Sequence, residues 1–173
     1  LLNQRDGQTG DMNRKFGAIE DKRKSTEQEI VSILKKLIGE ADCLLNLHEG
    51  SGFFSPDWIS DIENPDRYGQ SIIFDAQTYF DENSQKTIDL ADLALRVINR
   101  VNPQIENKRH HFKLNNHDTT SNSTKHIEQR KSASYYALTQ ANIPAFGVET
   151  SKSIKSNSEK VSLQKLVVNS FME

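Results

Sequence analysis

Two short apolar runs place the strictest limits on what this chain can fold into. The first covers residues 41–47 and the second covers residues 144–150, and both have the apolar side chains of buried strands. A helical pattern leads into the first run, and a helix followed by a buried strand is typical of a layered α/β domain. The first run ends at His48, and the second carries Glu149 near its end. Sites in open α/β sheets form beyond the carboxyl ends of strands, so these two residues mark a candidate site.

The other elements are predicted from hydrophobic spacing and helix-capping signals. Ser25 and Gln28 form a predicted capping box, and apolar residues then recur at helical spacing until Gly39. One more strand and several loops follow from the same signals. The predicted strand covers residues 71–75, the further helices cover residues 85–101, 125–141 and 159–171, and the loops cover residues 51–68 and 104–124, the latter with an edge strand near residues 111–114.

Length and composition fit a single domain with a sizeable core. The chain has 173 residues, and its 22 Lys and Arg nearly balance its 24 Asp and Glu. This balance gives no reason to expect nucleic acid or an anionic membrane as the main partner. No run reaches the roughly 18–20 apolar residues of a membrane span. The single cysteine, Cys43, excludes an internal disulfide and is predicted to be a small core residue.

A third feature is the polar turn at residues 10–16, which read Gly-Asp-Met-Asn-Arg-Lys-Phe. This turn resembles the Asp-x-Asn-Arg-x-Phe motif of zinc metallocarboxypeptidases of the carboxypeptidase A type and their deacylase relatives. The run before His48 resembles the family strand that ends on the third zinc ligand, and the run around Glu149 resembles the strand that carries the catalytic glutamate. The turn, the run at residues 47–54 and the Ser-Tyr-Tyr-Ala segment at residues 134–137 together most resemble bacterial carboxypeptidases that trim murein tripeptides and determine helical cell shape.

The resemblance implies a role for each matched residue. His48 would bind zinc, as one of three protein ligands. Glu149 would be the general base, which takes a proton from water and passes it to the leaving amine. Asn13 and Arg14 would hold the terminal carboxylate of a peptide substrate, with Arg14 forming a bidentate pair.

Two further residues are candidates for contact with the substrate. Arg5 lies nine residues before Arg14, one residue further than the family pattern, and would grip the carboxylate or polarise the scissile carbonyl. Ser134, on a predicted helix, would line the substrate pocket. Trp58, Phe53 and Phe54 would either wall the pocket or only pin down their own loop.

The family's other two zinc ligands have no counterpart in the sequence. They come from a His-x-x-Glu or Gln-x-x-Glu motif ahead of the Asp-x-Asn-Arg turn, and none of the ten residues before Asp11 fits it. The four other histidines all lie after His48, in the wrong order for the family. Because the chain starts on Leu1 and not on methionine, we expect it to be a fragment of a longer enzyme. We expect the fragment alone to bind zinc weakly and to be inactive.

The sequence therefore predicts a three-layer α/β/α metallocarboxypeptidase-like domain with a mixed central sheet, of which residues 1–173 form a part without the first strands. The full protein is predicted to hydrolyse the C-terminal peptide bond of a peptidoglycan stem peptide, with a zinc cofactor, in the periplasm or elsewhere outside the cytoplasm. Two alternatives remain open. One is an amidohydrolase similar to succinylglutamate desuccinylase or aspartoacylase, and the other is a zinc-free domain that binds peptide carboxylates through Arg14.

Overall fold

The computed structural model describes residues 6–7, 10–17, 25–82 and 84–173. These residues form α-helices, β-strands and short 3-10 helices. The α-helices are α1 Thr26–Gly39, α2 Leu90–Val101, α3 Ala133–Gln140 and α4 Asn157–Met172. The strands are β1 Asp6–Gly7, β2 Gly10–Asp11, β3 Leu44–Gly50, β4 Phe53–Phe54, β5 Glu63–Asn64, β6 Ser71–Phe74, β7 Thr78–Asp81, β8 Lys86–Asp89, β9 Lys113–Asn116 and β10 Ala145–Ser151. The 3-10 helices are Met12–Arg14, Asn102–Gln104, Lys108–His110 and Ile127–Lys131.

The central sheet has the strand order β3-β10-β6-β9. β10 pairs parallel with β3 and antiparallel with β6, and β6 pairs parallel with β9. The sheet is therefore mixed, as the sequence predicted. The two apolar runs that were predicted as buried strands are neighbours in this sheet, with β10 in its interior.

Helices cover both faces of the sheet and complete three layers. On one face, Phe146, Val148 and Ile72 belong to the larger core cluster, which α2 and α4 close. On the other face, a smaller cluster joins Ala145 to Phe16 and to apolar side chains of α1 and α3. Successive side chains of a strand point to opposite faces, so each run feeds both clusters. The predicted α/β/α architecture is confirmed.

The start of α1 forms as its cap signals predicted. The Ser25 hydroxyl accepts a hydrogen bond from the Gln28 backbone N–H at 3.3 Å, and the Gln28 side-chain oxygen accepts one from the Ser25 N–H at 2.8 Å. This capping box satisfies two amides that the first turn leaves without helical partners. The helix ends at Gly39, the predicted stop.

Two predicted helices begin later than expected. Residues 86–89 form β8, which pairs antiparallel with β7, and α2 starts at Leu90, where the Asp89 carboxylate caps the Asp92 N–H at 2.9 Å. Residues 127–131 form a 3-10 helix, and α3 starts after Ser132, whose hydroxyl accepts from the Tyr135 N–H at 3.2 Å. In both cases a side-chain cap inside the periodic segment sets the helix start.

The loops hold more structure than predicted. β4 and β5 pair parallel within residues 51–68, and the expected edge strand is β9, at the end of the sheet. Cys43 packs against the larger core cluster, and burial raises the pKa of its thiol to about 11, as suits a structural cysteine. Within the described residues, no helix combines the length and apolar character needed to cross a membrane.

Candidate active site

One cleft of about 490 Å³ gathers the predicted site residues. The predicted residues that line it are Asn13, Arg14, His48, Ser134 and Glu149. They come from the Met12–Arg14 turn, β3, α3 and β10, segments that are far apart along the chain. Every predicted site residue within the described part of the chain therefore lies at this cleft. Arg5, the remaining one, lies outside the described residues.

His48 and Glu149 are direct neighbours across two parallel strands. Their Cα atoms are register partners in the pairing of β3 with β10, and both side chains face the cleft. The preceding pair on this face is Asn46 and Gly147, which line the same cleft. Neighbouring strands of a sheet lie about 4.7–4.9 Å apart. The sheet thus places an imidazole beside a carboxylate without help from loops.

Both strands extend further than predicted. β3, predicted to cover residues 41–47 and to end ahead of His48, continues to Gly50, and β10, predicted to cover residues 144–150, continues to Ser151, because backbone pairing extends beyond His48 and Glu149. The Gly50 carbonyl accepts from the Lys152 N–H at 2.9 Å, and the Ser151 N–H donates to the buried Gln70 side chain at 2.9 Å. His48 and Glu149 are therefore held within the sheet, close to its carboxyl edge.

Helix α4, on the sheet face opposite the cleft, holds the backbone of His48. The Gln164 side-chain amide donates to the His48 carbonyl oxygen at 3.1 Å, and the Thr150 hydroxyl approaches the same oxygen at 3.5 Å. Glu49, the next residue of β3, forms an ion pair with Lys160 of α4. Its carboxylate is therefore engaged away from the cleft.

The Met12–Arg14 turn places the Arg14 guanidinium at the cleft. Asp11 caps this turn by accepting from the Asn13 N–H at 2.9 Å. The half-buried Arg14 guanidinium donates to the Asn13 carbonyl at 3.2 Å and forms no ion pair with another described residue. An arginine without a carboxylate partner at a cleft wall is suited to bind an anionic group of a ligand.

Asn13 has a structural role in addition to the predicted contact with substrate. Its side-chain oxygen accepts from the Ala133 N–H at 3.0 Å and from the Asn46 amide at 3.5 Å. These bonds join the turn to the first residue of α3 and to the floor of the cleft. Because the side-chain oxygen is engaged, only the amide NH₂ of Asn13 is left to meet a carboxylate.

Sequence reasoning missed a buried polar cluster behind Ser134. Asp75, which directly follows β6 and is 2% exposed, accepts a hydrogen bond from the Thr119 hydroxyl at 2.5 Å. Burial raises the pKa of Asp75, while the Thr119 and Ser134 hydroxyls and the nearby charges of His126 and Arg14 act against that rise. Like His48 and Glu149, Asp75 is a titratable residue next to an apolar run, and that signal would have found it.

A histidine pair adjoins the same cluster. His117 is 9% exposed, and its ring stacks on that of His126 with centroids 4.0 Å apart. Burial, together with the nearby charges of His126 and Arg14, lowers the pKa of His117 to about 4. Its Nδ1 atom is buried and has no hydrogen-bond partner among the described residues. The neutral ring is thus part of the packing at physiological pH.

Phe53 and Phe54 pack against neighbouring rings, and no aromatic residue of this loop lines the cleft. Phe53 is buried, and its ring stacks on His110 at 5.5 Å between centroids. Phe54 packs on Tyr68 at 4.7 Å, and Trp58 is 65% exposed. Of the two interpretations that the sequence left open, the structure supports the packing role for Phe53 and Phe54, and none of the three aromatics lines the cleft.

The described residues do not form a complete zinc site by themselves. Catalytic zinc takes three protein ligands and an open position. His48 can supply one nitrogen, but within residues 6–7, 10–17, 25–82 and 84–173 no group of at least three His, Cys, Asp or Glu side chains has metal-binding geometry. The arrangement shows one possible ligand, one possible base and one anion-binding cation around an open cleft.

A family model covers almost the entire chain. The family is described as "Carboxypeptidase controlling helical cell shape catalytic", and its model matches residues 1–172. The chain belongs to this family. The resemblance inferred from the three motifs is thus confirmed. No curated protein sequence matches the chain significantly.

Solved structures from the same family share the fold. The tripeptide-bound cell-shape determinant Csd4 of Helicobacter pylori matches with 27% identity and a TM-score of 0.79, over 96% of this chain and 38% of Csd4. The mDAP-bound form of Csd4, described as a D,L-carboxypeptidase, matches with 26% identity, the same TM-score and the same coverage. The chain therefore spans about 38% of the length of these proteins.

Proposed function

We propose that the full-length protein is a zinc-dependent carboxypeptidase that removes the C-terminal residue of a peptidoglycan stem peptide. Residues 1–173 would be part of its catalytic domain. The observation that carries this proposal is the meeting of Arg14, His48 and Glu149 at one cleft. An anion-binding cation, a nitrogen ligand and a carboxylate are groups that suit zinc-dependent hydrolysis of a C-terminal peptide bond.

Each residue of the cleft has a separate proposed role in the reaction. Arg14, with the amide of Asn13, binds the terminal carboxylate and so selects the last residue of a peptide. Glu149 accepts a proton from the attacking water and delivers it to the leaving amine. Ser134, whose hydroxyl lies 3.0 Å from that of Ser132, offers a polar group at the same wall of the cleft. Arg5 stays a proposed contact with the substrate carboxylate or carbonyl.

Zinc would be held by His48 and by two ligands that the described residues do not supply. When bound, it would polarise the scissile carbonyl and lower the pKa of water. We propose that the missing ligands come from parts of the full-length protein that correspond to the 62% of Csd4 outside the match, since the match covers 38% of Csd4. The chain alone is then expected to bind zinc weakly and to be inactive.

The relatives support the class of substrate. Solved forms of Csd4 contain a tripeptide or mDAP. A cleft of about 490 Å³ is large enough for the end of a short peptide. Peptidoglycan lies outside the cytoplasmic membrane, so the proposal places the protein in the periplasm or elsewhere outside the cytoplasm.

The test uses the full-length gene product, its Glu149→Gln variant and a matched control, Glu49→Gln. The control makes the same chemical change on the neighbouring strand, at a carboxylate that is paired with Lys160 outside the cleft. We expect one zinc per protein in all three. Release of the terminal residue from a muramyl tripeptide should fall about 10²–10⁴-fold in Glu149→Gln and stay near wild type in Glu49→Gln.

The other outcomes each point to a different function. Zinc without tripeptide cleavage, together with hydrolysis of a small N-acyl amino acid, would favour the desuccinylase-like alternative. Absence of zinc, with retained binding of a peptide carboxylate, would favour a zinc-free binding domain. Tight zinc binding at one ion per molecule by residues 1–173 alone would contradict the expectation that this chain lacks two ligands.

A further inference from the structure

The carboxylate of Glu149 lies where a side chain at Gly50 would begin. A Cβ atom built on Gly50 overlaps Oε2 of Glu149 and would lie 3.0 Å from its Cδ. Gly50 is two residues after His48 on β3, so its missing side chain would point to the cleft face. Its register partner on β10 is Ser151, two residues after Glu149. The side chain of Glu149 therefore reaches diagonally along the sheet to a position over Gly50.

The loop that follows β3 crosses back near Gly50 and closes this space from the other side. The Cβ built on Gly50 would also lie 2.6 Å from the Cα of Gly69, which follows the loop after β3. A Cβ on Gly69 would in turn lie 2.5 Å from the carbonyl carbon of Ser51 and 2.7 Å from that of Gly50. The backbone of this loop thus returns across the end of β3 at a separation that only glycines permit.

Hydrogen bonds hold the crossing in place. The side chain of Gln70, which is 1% exposed, accepts from the Ser151 N–H at 2.9 Å and donates to the His110 carbonyl at 2.9 Å. The Gly50 carbonyl accepts from the Lys152 N–H at 2.9 Å. Both strands and the returning loop are thus linked by hydrogen bonds, and a methyl group at Gly50 would meet the Glu149 carboxylate on one side and the Gly69 backbone on the other.

We infer that Gly50 is a positioning residue for Glu149. Its absent side chain makes room for the carboxylate, and the Gly69 crossing limits how far that carboxylate can move. This inference rests on the proposed function, because it assigns Gly50 to the placement of the proposed general base. A methyl group at Gly50 would displace the carboxylate while leaving Arg14 and the rest of the cleft in place. A base displaced by about 1 Å loses much of its effect on rate.

The first test is a double-mutant cycle on the unfolding of the purified chain, which needs no activity. Gly50→Ala is measured alone and in the Glu149→Ala and Glu149→Gln backgrounds by urea titration. Removing the carboxylate should relieve the part of the clash that involves Glu149, while the contact with the Gly69 backbone remains. The factor by which Gly50→Ala increases the unfolding equilibrium constant should therefore be at least about ten times smaller in the Glu149→Ala background than in the wild type. In the Glu149→Gln background, where an amide of the same size remains, the effect should equal that in the wild type.

Gly39→Ala serves as the control, since a Cβ there meets nothing within 4 Å. Its effect should be the same in every background. If Gly50→Ala does not fold but Gly50→Ala with Glu149→Ala does, the inference is supported. Equal cost of Gly50→Ala in all backgrounds, or failure of both Gly50 variants to fold, would mean that the Gly69 contact alone requires glycine, and would overturn it.

The second test follows the kinetics of the full-length protein. Gly50→Ala should lower kcat at least about tenfold with KM within about twofold of wild type, because the base moves and the carboxylate-binding residues do not. Glu149→Asp withdraws the carboxylate by one methylene and should remove the conflict. Gly50→Ala should then cost less than about twofold in kcat in the Glu149→Asp background. A further loss as large as in the wild type would contradict the positioning role.

The two tests separate the two proposals. If the wild-type full-length protein releases nothing from a tripeptide, the proposed function fails, and the unfolding cycle still decides whether Gly50 accommodates the carboxylate. If the tripeptide is cleaved but the cycle shows no coupling, the function stands and the role of Gly50 is wrong.

Discussion

The two faces of strand β10 differ in the size and polarity of their side chains and in what those side chains contact. Phe146 and Val148 point to one face and are 0% exposed, within the larger core cluster. Gly147 and Glu149 point to the other face and line the cleft. One face is packed by large apolar side chains, and the other combines the smallest side chain with a charged one. The difference shows how a strand with a period of two can supply stability and chemistry at once.

The two faces also differ in how their neighbours meet them. The ring of Phe146 packs directly against that of Phe171 on α4, with ring centroids 4.7 Å apart. On the cleft face, α3 packs through a smaller apolar cluster and is also held by polar contacts, such as the bond from the Ala133 N–H to Asn13. Packing on the first face should therefore govern folding, and polar contacts on the second should govern function. The predictions below test this division.

Phe146→Ala is expected to have the largest effect. Loss of a fully buried ring leaves a cavity in the core, and the free energy of unfolding should fall by about 3–5 kcal/mol. Urea unfolding of the purified chain measures it. Glu149→Ala, three residues along the same strand on the cleft face, should change the same quantity by about 1 kcal/mol or less. Comparable losses in the two variants would break the proposed division between the faces.

The cluster behind the cleft should respond to acid. The folded-state pKa of His117 is about 4, against 6.5 for the free side chain, so the unfolded chain binds a proton first as pH falls. The free energy of unfolding should be unaffected by this group above pH 6.5 and should drop between pH 6.5 and about 4, by about 3 kcal/mol at most. His117→Gln should remove most of this drop in urea titrations across that range.

Two neighbouring groups sharpen the interpretation of that experiment. Asp75 acts in the opposite direction, since its raised pKa makes the folded chain bind a proton more readily than the unfolded chain, which adds stability as pH falls. His126→Gln is the matched control, because it makes the same change in the exposed ring that stacks on His117. The control should keep most of the acid-dependent drop. An unchanged drop in His117→Gln would show that other groups cause it.

The sequence was sufficient for the elements whose signals are local. The capping box at Ser25 and the two apolar runs follow from short patterns. The capping box formed as predicted, and both runs formed strands, although β3 covers Leu44–Gly50 and not residues 41–47. The start of α2 was placed too early, because residues 86–89 fit a helical period but pair with β7 in a hairpin. That pairing is a tertiary contact, which single-sequence periodicity does not contain.

The candidate site was predictable as a set of residues but not as a geometry. The motif resemblance pointed to Arg14, His48 and Glu149, and strand alternation would also have placed Asn46 on the cleft face, two residues before His48. The diagonal lean of Glu149 over Gly50 depends on the register of two strands and on the return of a loop near Gly69. No local pattern encodes that crossing, so it emerged only from the structure.

Arg14→Lys tests the polar side of the comparison by binding. Lysine keeps the charge but cannot form the bidentate pair with a carboxylate. In the full-length protein, the KM for a tripeptide should rise about 10- to 100-fold, with a smaller change in kcat and no loss of stability. Arg96→Lys is the control, at an exposed arginine paired with Asp92 on α2. A normal KM in Arg14→Lys would remove Arg14 from the carboxylate site.

Gly147→Ala should have the smallest effect and probes the cleft face itself. A Cβ at this position would lie 3.3 Å from the Cβ of Ile73, which is tight but needs a shift of only a few tenths of an ångström. That crowding opposes the gain of about 0.5–1 kcal/mol from replacing a strand glycine, so the free energy of unfolding should change by less than about 1 kcal/mol. The added methyl group stands on the floor of the cleft, beside Asn46 and Glu149, and should weaken tripeptide binding more than it alters stability. A stability loss as large as that of Phe146→Ala would mean that the cleft face is packed as tightly as the core face.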